Sequence, residues 1–390
     1  MSQVLYLTYD GILEPLGYSQ ILSYLKSLSN DNKITIISIE KNQDLQNAVH
    51  FEKINNILSE FKIDWKYFIY KKTKFGKFFL ILNIILYTYF ITLQKKIKIV
   101  HSRSYVMGLI AYLLNCIVSF SHIFDIRGFW IEERVEWGLW KKNSLKYFFF
   151  KFFENKIYNK SKIIVTLTTD AKKILLDKKI NNLDNEKIHV IPTCVELNKN
   201  KKILNTQDPI KFTHLGALGS RYDFNMCLNI MSKVLKKRNI FLSIVNKGEH
   251  KKINYLLKEY NFNSKNYEIK YVSPYSINDE IINSNFGIFF PVKGFYLNAY
   301  FPTKLGEFLS NGVPIITCSI NNHVNSIIKE NKIGIIIDDL DNLKFEKFYL
   351  EISKLLNDIH TSERCINTAK KYFDIKKANR VYSKIYKSLN

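Results

Sequence analysis

Residues 301–317 read FPTKLGEFLSNGVPIIT, a run that carries a helix start, a helix stop and a strand in close succession. Pro302 suits the first position of a helix, because the N–H it lacks is one of those left unpaired there anyway. Gly312 supplies the left-handed stop and Pro314 the break, so the helix is short, about 302–311. Residues 313–317 then form a buried apolar strand, and the unit is helix, tight turn, strand. Helical spacing sets Thr303 and Glu307 on one face at i and i+4, with Lys304 beside Glu307 at i and i+3. A hydroxyl, an ammonium and unpaired backbone N–H groups thus collect at a helix start, where the dipole favours an anion. One turn on, a carboxylate can accept two hydroxyl hydrogen bonds. Phosphate first and a diol one turn later is the outline of a nucleotide-sugar; a solvated Lys304–Glu307 surface pair is the competing reading.

Outward from this unit the same alternation continues. Apolar, β-branched runs at 4–8, 34–39, 65–70, 97–100, 123–126, 163–167 and 188–191 are separated by stretches of helical spacing. A second set follows at 210–215, 242–245, 269–272, 286–290, 313–317 and 334–337. The pattern predicts an α/β protein with parallel sheets covered by helices on both faces. Residues 198–208, NKNKKILNTQD, carry no periodic apolar face and read as a linker. The expected organisation is an N-terminal Rossmann-like domain over 1–197, that linker, and a C-terminal Rossmann-like domain over 209–374. A last helix over 375–390 is free to cross back to the first domain. Ligands of such sheets bind beyond the carboxyl ends of the strands, so the default site is a cleft across which the two sheets face each other.

Covering helices are expected at 45–61 and 145–158. The second contains KYFFFKFFENKIY, aromatic on one side and basic on the other, which suits packing on the sheet and contact with anionic lipid equally. The apolar run 78–93, FFLILNIILYTYFITL, falls short of the ~20 residues needed to span a bilayer and reads as a buried helix.

A chain of 390 residues bounds the protein at two domains of ordinary size. Lys+Arg 58 against Asp+Glu 35 gives a net charge of +23, an excess spread along the chain rather than blocked. That disfavours a nucleic-acid-binding arm and leaves an anionic membrane surface or anionic small ligands as partners. The five cysteines, 116, 194, 227, 318 and 365, show no C-x-x-C spacing, and reduced thiols in a cytoplasm without structural zinc are expected. No basic-then-apolar segment precedes Val4, so a secretory leader is not expected.

Candidate site residues follow from the strand ends. The first strand leads into a loop closed by Pro15-Leu16-Gly17, a place for backbone N–H groups to meet a phosphate or simply a tight turn. After 97–100 comes HSRS, with His101, Arg103 and Ser104. After Phe124 comes DIRGFWIEERVEWGLW, where Asp125 and Arg127 project to one side at strand spacing and Glu132, Glu133 and Arg134 follow. A loop rich in Arg, Glu and Trp suits hydroxylated rings, whereas a pinning Asp–Arg ion pair is the plainer account. In the second half, GALGSRYDF places Arg221 before a helix, well suited to a diphosphate, and Lys247 ends the next strand as a weaker candidate for the same anion.

With these residues in hand, the chain resembles the glycosyltransferase family 4 group of GT-B-fold enzymes over essentially its whole length. PTKLGEFLSNGVPII is similar to that family's donor-binding segment. The resemblance implies that Glu307 holds the nucleotide ribose, that Thr303 and Lys304 hold the phosphates, and that Arg221 is the phosphate-binding arginine. EPLG, HSRS, DIRGFWIEER and VIPTCVEL are similar to a bacterial branch that builds surface polysaccharide or lipopolysaccharide. One departure stands out: the family's Glu-x7-Glu pair would need a glutamate at 299, and this chain has Ala299.

The expectation is therefore a metal-independent transferase at the inner face of a membrane. It would move a sugar, with retention implied by the resemblance, from a nucleotide-diphosphate sugar to a glycan or lipid-linked acceptor. No cofactor and no nucleic acid are expected. The donor side is assigned to Gly17, Arg221, Lys247, Thr303, Lys304 and Glu307; the catalytic side to Arg103, Asp125, Arg127 and Glu133. Two rivals are a nucleotide-sugar 2-epimerase of the same fold and a non-catalytic anion-binding protein.

Overall fold

The computed structural model describes residues 1–178, 183–198, 208–219, 221–273, 276–338 and 343–390. The chain divides into two compact units, Met1–Pro192 with Ile375–Asn390, and Thr193–Asp374. The passage into the second unit precedes the polar stretch 198–208, most of which lies outside the described residues. It comes early because Thr193 Oγ1 donates to the Phe301 carbonyl and the Val195 N–H donates to the Phe373 carbonyl at 2.8 Å.

The first unit is built on seven parallel strands: β1 (Ser2–Thr8), β2 (Asn32–Glu40), β3 (Asp64–Ile69), β4 (Ile99–Arg103), β5 (Ser121–Asp125), β6 (Ile163–Thr166) and β7 (Ile188–Val190). Their order is β3-β2-β1-β4-β5-β6-β7. The second has six: β8 (Ile210–Leu215), β9 (Ile240–Val245), β10 (Tyr267–Lys270), β11 (Phe286–Ile288), β12 (Ile315–Cys318) and β13 (Gly334–Ile337), ordered β10-β9-β8-β11-β12-β13. Every expected strand is found within a few residues. Because both faces of a parallel sheet are covered, its strands read as unbroken apolar runs rather than alternating ones.

In the first unit, Leu5, Leu7, Ile37 and Val100 face a core shared with Leu80, Ile84, Met107 and Ile110. The opposite face carries Tyr6 and His101, which pack edge to face, and His101 meets Tyr382 and Tyr386 of the last helix, Ile375–Ser388. In the second unit, Phe212, Phe286 and Ile316 join Leu228, Met231 and Phe348. Register decides which residues share a rim. Arg103 pairs with both Thr8 and Asp125, so the carboxyl ends of β1, β4 and β5 finish level.

Two helices differ from expectation. The run 45–61 is divided into Asn42–Leu45 and Ala48–Glu60, because the Asn47 side chain caps the second piece by accepting from the His50 N–H at 3.1 Å. The run 78–93 lies in a longer helix, Lys74–Gln94, long and apolar enough by length and composition to cross a membrane. It is not buried all round. Leu80, Ile84, Thr88, Ile91 and Thr92 form the one stripe that meets the sheet, and the opposite stripe, beginning at Phe75, is exposed.

Candidate active site

The second unit gathers its polar groups at the carboxyl ends of β8 and β9 and the start of the helix Thr303–Ser310. Pro302 stands just outside that helix as its N-cap, and among the described residues no side chain caps it. Its first N–H groups therefore remain available to an anion. Lys304, on the first turn, projects over the ring of Tyr222, with Nζ 3.5 Å from the centroid. That ammonium is buried and makes no hydrogen bond to any described residue. Gly216, at φ +102°, makes room for it: a Cβ there would stand 3.1 Å from Lys304 Nζ. Glu307 follows one turn later, half-buried. Burial pushes its carboxyl above the usual range, and the pull of Lys304 only partly offsets this. Thr303, on the same face, is also half-buried.

The surrounding loops are tied to one another. Asn246, which ends β9, donates to the Gly216 carbonyl at 3.1 Å and to Glu249 at 2.9 Å. Glu249 in turn accepts the Leu218 N–H at 2.8 Å. Tyr222 meets Tyr300 hydroxyl to hydroxyl at 2.6 Å, and Asn321 holds the Tyr300 turn by donating to the carbonyls of Leu297 and Tyr300. Arg221 is exposed, its backbone carbonyl accepting from Val292, and its charge acts on the Tyr300 hydroxyl. Lys247 is exposed on the loop after β9. His214 lies beneath; burial, and then the Lys304 charge, push it down to about 3, so it is a neutral imidazole. Ala299 is buried at the end of the turn Phe295–Ala299.

The first unit presents a different chemistry. HSRS does not follow β4 but completes it: His101, Ser102 and Arg103 are buried strand residues. At the level strand ends, Arg103 Nη1 lies 3.9 Å from Asp125 and Arg127 Nη1 lies 3.6 Å from the same carboxylate oxygen, while Arg103 Nε reaches Asp10 at 3.5 Å. Arg127 reaches back because its own φ is +57°. Gln20, in a π-helical turn at Tyr18–Leu22, ties the pair together: its carbonyl accepts from Arg103 at 3.3 Å and its side chain from Arg127 at 3.2 Å. Burial pushes the Asp125 carboxyl up, against the pull of Arg127, Arg103 and Tyr382. Two guanidiniums around one buried carboxylate leave positive charge at this rim.

The rest of the expected first-unit set is placed otherwise. Gly17 is buried in close packing, where a Cβ would overlap the Gly11 carbonyl. The N–H groups of Ile12 and Leu13 in the same loop donate to the Glu40 carboxylate at 2.8 and 3.2 Å, and so are already engaged. Glu133 is buried on the helix Trp130–Glu136. Trp130, Trp140 and Phe150 pack on one another, with ring centroids 5.0 to 5.3 Å apart. Among the described residues, no group of three or more His, Cys, Asp or Glu is placed to hold a metal ion.

Gln20, Tyr222, Glu249 and Tyr300 escaped the sequence reading, and Asn246 was read only as the end of a strand. Asn246 had a signal, as a polar residue ending an apolar strand; the two tyrosines had none, since their pairing joins distant parts of the chain.

The chain is similar to known proteins in part of its sequence and in its fold. A family model described as "Glucosyltransferase 3-like, C-terminal domain" matches residues 228–354. No curated protein matches the chain. Among solved structures, a glycosyltransferase from Rickettsia africae is similar at 15% identity, covering 100% of this chain and 98% of that one, with a TM-score of 0.70. Sucrose-phosphate synthase from Thermosynechococcus elongatus is similar at 11% identity, 100% and 99% coverage, and a TM-score of 0.73. HepE from Anabaena, solved in complex with UDP-glucose, is similar at 9% identity, 100% coverage of both chains, and a TM-score of 0.68. The fold is GT-B: two Rossmann-like units, each on a parallel sheet.

Proposed function

We propose that the chain is a glycosyltransferase that takes its sugar from a nucleoside-diphosphate sugar bound on the second unit. The observation that carries this is the Lys304 ammonium, buried and without a hydrogen bond to any described residue, beside Gly216 at a helix start that no described side chain caps, with Glu307 one turn on. A buried cation lacking a hydrogen-bond acceptor is costly, and a diphosphate supplies that acceptor. Glu307 then accepts from the ribose hydroxyls, and Arg221 and Lys247 are further cations for the phosphates. The HepE complex with UDP-glucose supports the same donor class on the same fold.

In this reading the leaving diphosphate is stabilised by Lys304, Arg221 and the N–H groups from Thr303 onward, without a metal ion. Transfer proceeds with retention, and the donor phosphate assists deprotonation of the acceptor. Arg103, Asp125, Arg127 and Glu133 of the first unit belong to the acceptor and reacting-centre side. The acceptor is a glycan or lipid-linked glycan of a bacterial surface polysaccharide, and the enzyme works on the cytoplasmic side.

A thermal-shift panel of nucleoside diphosphates tests the donor site. One or more should protect the wild type, and ligand at about 100 times its Kd adds about 2.7 kcal/mol. Lys304→Met should abolish most of that protection. Absence of protection by every nucleotide overturns the assignment.

A further inference from the structure

The helices Lys74–Gln94 and Leu145–Lys160 leave apolar faces uncovered in the first unit. On the first, Phe75, Phe79, Leu82, Leu86, Phe90 and Leu93 recur at helical spacing, opposite the stripe that meets the sheet; Phe75 is 81% exposed and Phe90 64%. On the second, Leu145, Phe148, Phe149 and Phe152 are exposed, Leu145 at 90%. Scattered surface leucines are ordinary, but rows of exposed phenylalanine on two helices are not.

Charge marks the same surface. Residues 65–124 contain no Asp or Glu, nor do residues 137–153. Lys71, Lys72, Lys74 and Lys77 surround the start of the first helix, and Lys141, Lys142 and Lys146 the start of the second, all exposed. The two sets are within electrostatic reach of each other. Partial burial, followed by the charges of Arg134, Lys74 and Lys77, holds Lys146 below the usual lysine range. Lys146 also lies 4.5 Å from the centroid of the Trp140 ring, an amphipathic pairing suited to a boundary between apolar and aqueous phases.

We propose that this face is a docking surface for an anionic lipid bilayer, with both helices lying along the interface and their lysines among the headgroups. The long helix lies flat rather than spanning, because Leu80, Ile84 and Ile91 are committed to the core of the sheet. A second copy of the chain fits poorly. A two-fold contact through this face would bring its lysines toward their own counterparts, whereas anionic headgroups neutralise them.

The test uses the full chain and flotation with liposomes of phosphatidylcholine alone or with about one third phosphatidylglycerol. The protein should float with the anionic vesicles at low salt, bind them at least about tenfold less tightly at high salt, and show little affinity for the neutral ones. Lys74→Glu/Lys77→Glu/Lys146→Glu should lose about a hundredfold on anionic vesicles. Phe75→Ser/Phe79→Ser/Phe149→Ser should lose binding to the anionic vesicles at low salt as well as at high salt. All six positions are solvent-facing, so both variants should melt at the wild-type temperature; the salt titration of wild type tests the proposal without any variant. No preference for anionic vesicles, or binding indifferent to both variants, overturns it. So does dimerisation that the Phe variant disperses without any vesicle binding, or membrane retention through an alkaline carbonate wash, which would mean a spanning helix.

Discussion

The Lys304 ammonium lies 3.5 Å from the centroid of the Tyr222 ring, and the Tyr222 hydroxyl meets that of Tyr300 at 2.6 Å. An aromatic face attracts a cation without satisfying its N–H donors, so the ring steers the ammonium while leaving those donors for a phosphate. Tyr222→Phe should keep nucleoside-diphosphate affinity within about threefold, since the ring remains. Tyr222→Leu should lower it about tenfold by freeing the Lys304 side chain, as read by calorimetric titration. Equal affinity in both variants would remove Tyr222 from the site.

Glu307 supports a prediction about pH. Its carboxyl is raised in the folded chain by burial, with Lys304 opposing. A carboxyl raised on folding contributes stability that is fully present below its unfolded value, near 4.5, and is lost as pH rises through the folded value. Glu307→Gln stays neutral at every pH, so at neutral pH the free variant should melt higher than wild type, with the two curves converging below about pH 4.5. Ribose recognition needs the ionised form. The same variant should therefore bind nucleoside diphosphate about tenfold more weakly, and wild-type affinity should rise with pH through that window. A variant that melts lower at neutral pH would contradict the assigned burial.

Much of this was legible because it is local. The strands of both sheets are continuous β-branched runs, and the Lys304–Glu307 pairing follows from helical spacing alone. What stayed hidden depends on neighbours distant in the chain. The loop from Tyr9 to Gly17 reads equally as a phosphate turn or a plain tight turn, and only Glu40 at the end of β2, distant in the chain, engages the N–H groups of Ile12 and Leu13. Composition ranks the helix Lys74–Gln94 as buried, but only contact with the sheet decides which stripe is covered. Gln20 carries no signal at all, because it binds both arginines from a π-helical turn that propensities do not foretell.

Gly216 tests the space around the ammonium separately from its charge. Its φ of +102° is one that side chains rarely adopt, and an added methyl would press on Lys304. Gly216→Ala should cost about 1–2 kcal/mol in urea denaturation and also weaken nucleoside-diphosphate binding, although every charged group remains. Stability loss with unchanged affinity would mean that the Lys304 position is not confined by this turn.

Asp125 tests the proposed division of roles between the two units. It is buried between Arg103 and Arg127, so Asp125→Asn keeps the shape but leaves two buried guanidiniums without their carboxylate, and the variant should melt lower than wild type at neutral pH while remaining folded. The groups proposed to hold the donor, Arg221, Lys247, Thr303, Lys304 and Glu307, all lie on the second unit, so the same variant should leave nucleoside-diphosphate affinity unchanged. Turnover should nonetheless fall about a hundredfold, because both guanidiniums lose the carboxylate that orients them. Arg127→Met should fall comparably, whereas Arg127→Lys, which keeps charge but not the fork that reaches both Gln20 and Asp125, should recover only part. Normal turnover in Asp125→Asn would reduce the cluster to a pin that holds the strand ends together.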